Sequence, residues 1–276
     1  KIVFKALKDN CISEFKNLDL IKQEVKFNEN TRFDFLIYKD YLNVTPYNDE
    51  IKKLGGKIYA VPNPKKNIIG YIRAVQKLLK DKQFDVVHSE VFFGGGLNVW
   101  LAKNAGIKQR IVHSHATTDG KGNSVILKSI RKFFDFLMFH NGTDFLACST
   151  EAGIGLYGKD HPFLFVPNGI DLEKYGNINE TKKEIKDSLI LSKDTFLVGN
   201  IGRFEEQKNH KFLIEIFKEV VAKNANSHLI LIGEGSLVEE IRHKVLIEGL
   251  KDKVSFLGLR DDIPRLLKGM DVFLMP

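Results

Sequence analysis

The densest chemistry in the sequence is one short run, Gly202-Arg203-Phe204-Glu205-Glu206-Gln207-Lys208-Asn209. It follows an apolar, strand-like stretch and precedes a helical pattern. Gly202 would let the backbone turn sharply and approach a ligand. Arg203 offers a planar fork of donors, and Lys208 offers a point charge. A helix starting near Asn209 aims its positive end at the same space. Together these would hold a diphosphate; the alternative is an ordinary charged surface loop. Gly233-Glu234-Gly235 marks a second turn of this kind, weak by itself. Val238 occupies the last position of the GxGxxG dinucleotide fingerprint, which disfavours a nicotinamide enzyme, and no GxxxxGK[ST] phosphate loop occurs.

Histidines form the second group. His113 and His115 close a strand and point to one face, so a two-histidine metal site has to be weighed. His88 looks distant as a third ligand and no carboxylate cluster supports it, so no metal is expected. A ligand-positioning imidazole fits better, with a structural, hydrogen-bonded histidine as the alternative. Asp261-Asp262 resembles an acid pair for a metal, but its place before Pro264 suits a helix N-cap. The segment Lys128–Phe139 is basic and aromatic. It reads as a core helix with its basic residues outward, or as a helix resting on an anionic membrane.

These residues need elements to position them. Strand-like runs lie at Phe33–Tyr38, Lys57–Val61, Phe84–His88, Arg110–His113, Phe145–Ser149 and Phe163–Val166. Between them fall helical patterns at Ile68–Lys80, from Gly94 to about Ala105, at Ser124–Phe139 and at Thr150–Tyr157. A polar stretch, Lys174–Asp187, interrupts the series. Strands then resume at Phe196–Ile201, His228–Ile232, Val254–Leu257 and Asp271–Met275, with helices at Asn209–Ala222, Ser236–Glu248 and Asp262–Lys268. Such alternation predicts parallel sheets covered on both faces, in two doubly wound domains. The division is expected at 1–170 and 171–276. In such sheets ligands bind beyond the carboxyl ends of the strands, where His88, His113, His115, Arg203 and the glycine pairs all fall. The first 30 residues are the least readable; Leu18–Val25 could be a helix or a loop.

Composition bounds the answer further. The 276 residues are 43% hydrophobic and 28% charged, ordinary values for a globular chain. No run of about 18 apolar residues exists to span a membrane. Two cysteines, Cys11 and Cys148, cannot build a disulfide framework, and they suit a reducing compartment. The net charge of +7 permits nucleic acid, an anionic membrane or a phosphate-bearing substrate. There is no recognised nucleic-acid module and no single-face basic stripe, so nucleic acid is not expected. The chain starts at Lys1 without a signal peptide's apolar core or an initiating Met, so it reads as a fragment.

The segments FDFLIY, LGGKIY, FDVVHSE, RIVHSHATTD, LACS, VPNGID, GNIGRFEEQKN, LILIGEGSLVEEI and VSFLGLRDDIPRLLKGMDVFLMP run in order from Phe33 to Pro276. In that order they resemble the GT-B-fold glycosyltransferases of family four, retaining nucleotide-sugar enzymes, particularly those of capsular, exopolysaccharide and lipopolysaccharide assembly. The resemblance implies two Rossmann-like domains facing a cleft: an acceptor-side domain over 1–170 and a nucleotide-sugar-binding domain over 171–276. It implies that Arg203 and Lys208 grip the donor diphosphate and stabilise the leaving nucleoside diphosphate, with Gly202, Asn209, Gly233, Gly235 and Gly258 shaping the donor site. Leu257 is similar to the position whose backbone meets the nucleobase, and His115 to the histidine that orients the donor sugar. No metal ion and no cofactor is implied; the substrate is a UDP- or GDP-linked sugar. The acceptor is a glycan or lipid-linked glycan, at the cytoplasmic face, with peripheral contact to anionic membrane.

Two departures stand against the family pattern. The acidic motif, Glu and a second Glu eight positions later, would follow Pro276, so the second domain is expected to be incomplete. Residues 1–32 hold no glycine, so the glycine-rich loop that usually opens the family is missing or replaced. A catalytically inactive fragment or nucleotide-binding protein is therefore the alternative to an enzyme. A sugar-nucleotide epimerase of the same fold fits the wording of the segments less well.

Overall fold

Among the described residues the apolar runs become eleven parallel strands in two sheets. The computed structural model describes residues 2–4, 32–41, 48–118, 122, 124–170 and 172–276. Cys11, Leu18–Val25 and the expected loss of a glycine-rich loop lie outside the described residues. The chain divides into two compact units, Lys1–Ile170 and Asp171–Pro276.

The first unit runs β1 (Ile2–Phe4), β2 (Phe33–Tyr38), α1 (Asn48–Lys53), β3 (Ile58–Val61), α2 (Ile68–Lys82), β4 (Val86–Ser89), α3 (Gly95–Asn104), β5 (Gln109–Ser114), α4 (Val125–Asn141), β6 (Asp144–Ala147), α5 (Thr150–Tyr157) and β7 (Leu164–Phe165). The sheet order is β3-β2-β1-β4-β5-β6-β7, so the winding reverses between β1 and β4. All six residues of β2 are buried, as a strand covered on both faces requires. Asp34 is the polar exception in that strand. Its carboxylate accepts hydrogen bonds from Arg32 at 2.9 Å, the Lys57 amide at 3.0 Å and the Tyr59 hydroxyl at 3.3 Å, which ties β2 to β3. Helix α2 buries Tyr71, Val75 and Leu79, one stripe at four-residue spacing, and the Asn67 side chain caps it by accepting the Gly70 amide at 2.7 Å.

The second unit runs α6 (Glu173–Gly176), α7 (Lys182–Ser188), β8 (Phe196–Ile201), α8 (His210–Lys223), β9 (Ser227–Ile232), α9 (Val238–Ile247), β10 (Val254–Gly258), α10 (Ile263–Gly269) and β11 (Val272–Phe273). Its sheet order is β10-β9-β8-β11, with the reversal between β8 and β11. Alternate residues serve opposite faces. Val198, Leu229 and Leu231 join the core under α8 and α9, while Leu197, Ile230 and Ile232 pack with Leu266 and Met270. Both layers are apolar, which fixes the register of the short strands.

Four expectations change. The polar stretch Lys174–Asp187, which the sequence marks only as a break between the two series, holds most of α6 and most of α7. Helix α7 exists because Thr181 and Glu184 make a capping box, each side chain bonded to the other's backbone. Asp262 stands at the start of α10, but its side chain caps nothing there. The Arg260 guanidinium holds it through two hydrogen bonds of 2.8 Å. The segment Lys128–Phe139 is not simply a core helix, since α4 buries only Leu137, Met138 and Asn141. Val125, Ile126, Ile130, Phe133 and Phe136 are exposed. Finally, α1 is a helix that the polar stretch at Asn48–Lys53 did not suggest.

Candidate functional site

At the reversal in the second sheet, β8 ends at Ile201 and the chain passes through Gly202, Arg203 and buried Phe204 to a short 3-10 turn, Glu206–Lys208, before α8. Two loops are stitched together there. The Gly202 amide donates to the Ile232 carbonyl at 2.9 Å, the Phe204 amide to the Glu234 carbonyl at 2.9 Å, and the Leu237 amide to the Phe204 carbonyl at 3.0 Å. Gly233 has φ +136° and a Cβ on it would lie 2.2 Å from the Gly202 carbonyl oxygen. A Cβ on Gly235 would lie 2.5 Å from that of Phe204. Only glycines let these two turns close on one another. Gly202 plays a different part from the one its sequence position suggests. Its φ is not positive, and a Cβ there would only touch the Lys208 stem at 3.4 Å.

The charges of this edge are the informative part. Lys211, Lys218 and Lys244 are all paired with glutamates. Among the described residues, Arg203 and Lys208 form no ion pair, and the Nη1 of Arg203 is shut from solvent without a hydrogen-bond partner. Glu205, the nearest acid in the run, is occupied: its carboxylate accepts the Ser236 hydroxyl at 3.1 Å and the Ser236 amide at 3.3 Å. Helix α8 has no capping side chain and no acid in its first turn. Two uncompensated cations at an uncapped helix start are an arrangement that suits an anion. The Phe204 ring stacks on His210 with centroids 4.2 Å apart, which anchors the run to α8. On the neighbouring strand the ladder steps from Phe256 to Gly258, so Leu257 is the extra residue of a bulge. That leaves its backbone outside the regular pairing.

In the first unit, β4 and β5 bring four side chains together at their carboxyl ends. His88 looked distant from His113 in sequence, yet its Nε2 lies 3.1 Å from His113 Nδ1. Parallel pairing of His88 with Ile111 places them side by side. The sequence reading also missed Glu90, whose Oε1 lies 3.9 Å from His88 and 3.7 Å from His115. The signal was present: Glu90 is two residues past His88, on the same face of the strand. The ring centroids of His113 and His115 are 4.1 Å apart. His88, Glu90 and His113 offer ligand atoms within 4.8 Å of one another, a spacing one cation could bridge. The His88 and His113 imidazoles share a hydrogen bond, while Nε2 of His113 and Nε2 of His115 are buried without a hydrogen-bond partner.

Burial dominates the protonation of these groups. It pushes His88 below the ordinary imidazole range, and it takes His113 down to about 3 with the help of the neighbouring His115 and His88 charges. Burial raises the Glu90 carboxyl, but its contact with His115 and the surrounding imidazoles outweigh that and hold it at about 2. At neutral pH the cluster keeps a carboxylate among imidazoles of which His88 and His113 are neutral.

Known proteins resemble this chain in sequence and in fold. Residues 181–276 match the family described as "Glycosyl transferases group 1". The chain is 32% identical over 251 residues to the putative glycosyltransferase EpsF of Bacillus subtilis, covering 89% of this chain and 65% of EpsF. The chain has the GT-B fold and is similar to glycosyltransferases, and it spans less than two thirds of the length of EpsF. It is 29% identical over 276 residues to the UDP-Gal:alpha-D-GlcNAc-diphosphoundecaprenol alpha-1,3-galactosyltransferase of Escherichia coli, covering 92% of this chain and 68% of that enzyme. The GT-B fold is shared with Anabaena HepE, crystallised with UDP-glucose, at a TM-score of 0.79 and 16% identity over 99% of this chain and 73% of HepE. It is shared also with WaaG, a glycosyltransferase involved in lipopolysaccharide biosynthesis, at 0.72 and 15% identity over 100% of this chain and 75% of WaaG. No helix among the described residues of this GT-B chain is long and apolar enough to cross a membrane.

Proposed function

We propose that this chain carries out retaining transfer of a sugar from a nucleotide-sugar donor to a glycan or lipid-linked glycan in cell-surface polysaccharide synthesis. The observation that carries the reading is the pair Arg203 and Lys208, unpaired cations beside the uncapped start of α8. A donor diphosphate supplies the two negative charges that this edge lacks. Bond cleavage adds negative charge to the leaving nucleoside diphosphate, so cations fixed beforehand favour the transition state over the bound donor. The backbones of Gly202, Asn209, Gly233 and Gly235 shape the loop, and those of Leu257 and Gly258 meet the base. His115 orients the donor sugar.

HepE has been crystallised with UDP and with UDP-glucose, and the Escherichia coli relative is described as using a UDP-sugar and a diphosphoundecaprenol acceptor. These support a nucleoside diphosphate donor and a lipid-linked acceptor here. The exposed apolar residues of α4, with Lys128 and Lys132 among them, suit peripheral contact with anionic lipid at the cytoplasmic face.

Calorimetric titration with UDP and GDP tests the donor site. Arg203→Ala and Lys208→Ala are each expected to weaken the better nucleotide by roughly 10- to 100-fold, the worth of one charge-assisted contact. Unchanged affinity in both variants would overturn the assignment.

A further inference from the structure

The first unit contains a cavity of about 270 Å³ that the donor chemistry leaves unused. It lies past the carboxyl ends of β2, β3 and β4, and its walls are mostly apolar: Tyr38, Ile68, Phe92, Leu97, Ile130 and Phe134. The polar groups in the lining are turned to other partners. The Tyr71 hydroxyl donates to Asn98 at 2.5 Å, and the Asn98 amide donates to Ser89 at 3.0 Å. A sugar in this space would find few hydrogen bonds, so the cavity selects hydrocarbon. Two cations, Lys65 and Arg131, also line it. Arg131 lies over the Phe93 ring, 5.7 Å from its centroid, at the boundary of apolar wall and charge.

We propose that this cavity takes the hydrocarbon chain of a phosphate-linked lipid acceptor, next to its phosphates, with Lys65 and Arg131 meeting the phosphates. The proposal rests on the reading of a lipid-linked acceptor and names where its lipid is held. The volume is below the ~300–1,000 Å³ of a pocket for a whole drug-sized ligand, so it holds a segment of the chain. Ile68 and Ile130 are 45% exposed, so the cavity is open on the side from which a chain would enter.

The test is binding of the protein to diphosphates of increasing chain length, free of vesicles and with the donor site saturated by nucleoside diphosphate. Inorganic pyrophosphate, isopentenyl diphosphate and geranyl diphosphate are the probes. Affinity is expected to rise by roughly three- to four-fold for each methylene-sized group buried, and pyrophosphate alone to be the weakest. Ile68→Asp and Ile130→Asp, at half-exposed positions, should each lower geranyl diphosphate affinity at least ten-fold while leaving nucleotide affinity and circular dichroism unchanged. Affinity that ignores chain length, or that survives both substitutions, overturns the proposal. So does a pair of variants that lose binding to phosphatidylglycerol vesicles but keep geranyl diphosphate, since the cavity would then be a bilayer contact. Failure of the donor reading shows separately, as nucleotide affinity indifferent to Arg203→Ala.

Discussion

His113 is 4% exposed, and its burial beside two other imidazoles makes a proton on its ring costly. The unfolded chain takes that proton at the ordinary imidazole value of about 6.5, while the folded protein resists it down to about 3. Between those values the unfolded state binds more protons, so stability falls as pH falls. Glu90 acts in the same direction at lower pH, because its carboxylate is preferred in the folded state until about 2. His113→Gln should therefore flatten the loss of melting temperature between pH 7 and pH 5, removing up to about 1.4 kcal/mol per pH unit. Parallel melting curves for the variant and the parent across that range would count against this account. The cluster also shows why single residues misled the sequence reading. A helix separates His88 and Glu90 from His113 in sequence, and only strand register makes them neighbours.

Between β8 and β11 the stabilising unit is an ion-pair latch. Lys186, 5% exposed, donates to the Asp271 carboxylate at 2.7 Å and to the Thr195 carbonyl at 2.7 Å. Lys182 donates to the same carboxylate at 3.2 Å, and the Leu197 amide donates to it at 2.9 Å. One aspartate thus fastens α7, β8 and the start of β11. Burial raises the Asp271 carboxyl, but the hydrogen bonds from Lys186, Leu197 and Lys182 outweigh it and hold it below its usual range. Asp271→Asn would leave the Lys186 charge buried without its partner, at a cost of about 3 kcal/mol. Urea denaturation should show that loss, and Lys186→Met in the same chain should recover part of it. A neutral Asp271→Asn would mean that Lys182 and Lys186 find water instead. These contacts were hidden because an apolar strand, MDVFL, reads as core, whereas its anchor is the Asp before it.

Across the molecule, the central strands were legible because they are buried on both faces. Phe33–Tyr38 and Phe196–Ile201 appear in the sequence with the bounds they have in the structure. The glycine pair of Gly233 and Gly235 was visible but undervalued, since spacing alone says nothing about a carbonyl 2.2 Å from an absent Cβ. Helix α7 was passed over although Thr181 and Glu184 carry a capping-box signature, because a lysine-rich stretch looks like a linker. Helix α4 had the aromatic and aliphatic content of a core helix, and sequence content cannot tell which side has something to pack against. Phe133 at 58% and Phe136 at 56% exposure record the difference.

The placement of β1 has a further consequence. Its three residues, Ile2–Phe4, pair with Phe33–Phe35 on one side and with Val86–His88 on the other. The sheet order makes β1 the sole hydrogen-bonded link between the β2–β3 half and the β4–β7 half among the described residues. Detachment of this one short strand would separate the sheet into a pair and a quartet, and it would undock the carboxyl end carrying His88 from that carrying Tyr38. Amide hydrogens of β2 and β4 facing β1 should then exchange with solvent at one common rate, faster than those of β8 and β9. Exchange mass spectrometry giving β4 the slower rate would show that the quartet and pair are joined by something stronger than those three residues. A strand that short also closes its contacts over long sequence separations, so it is expected to dock late as the first unit folds.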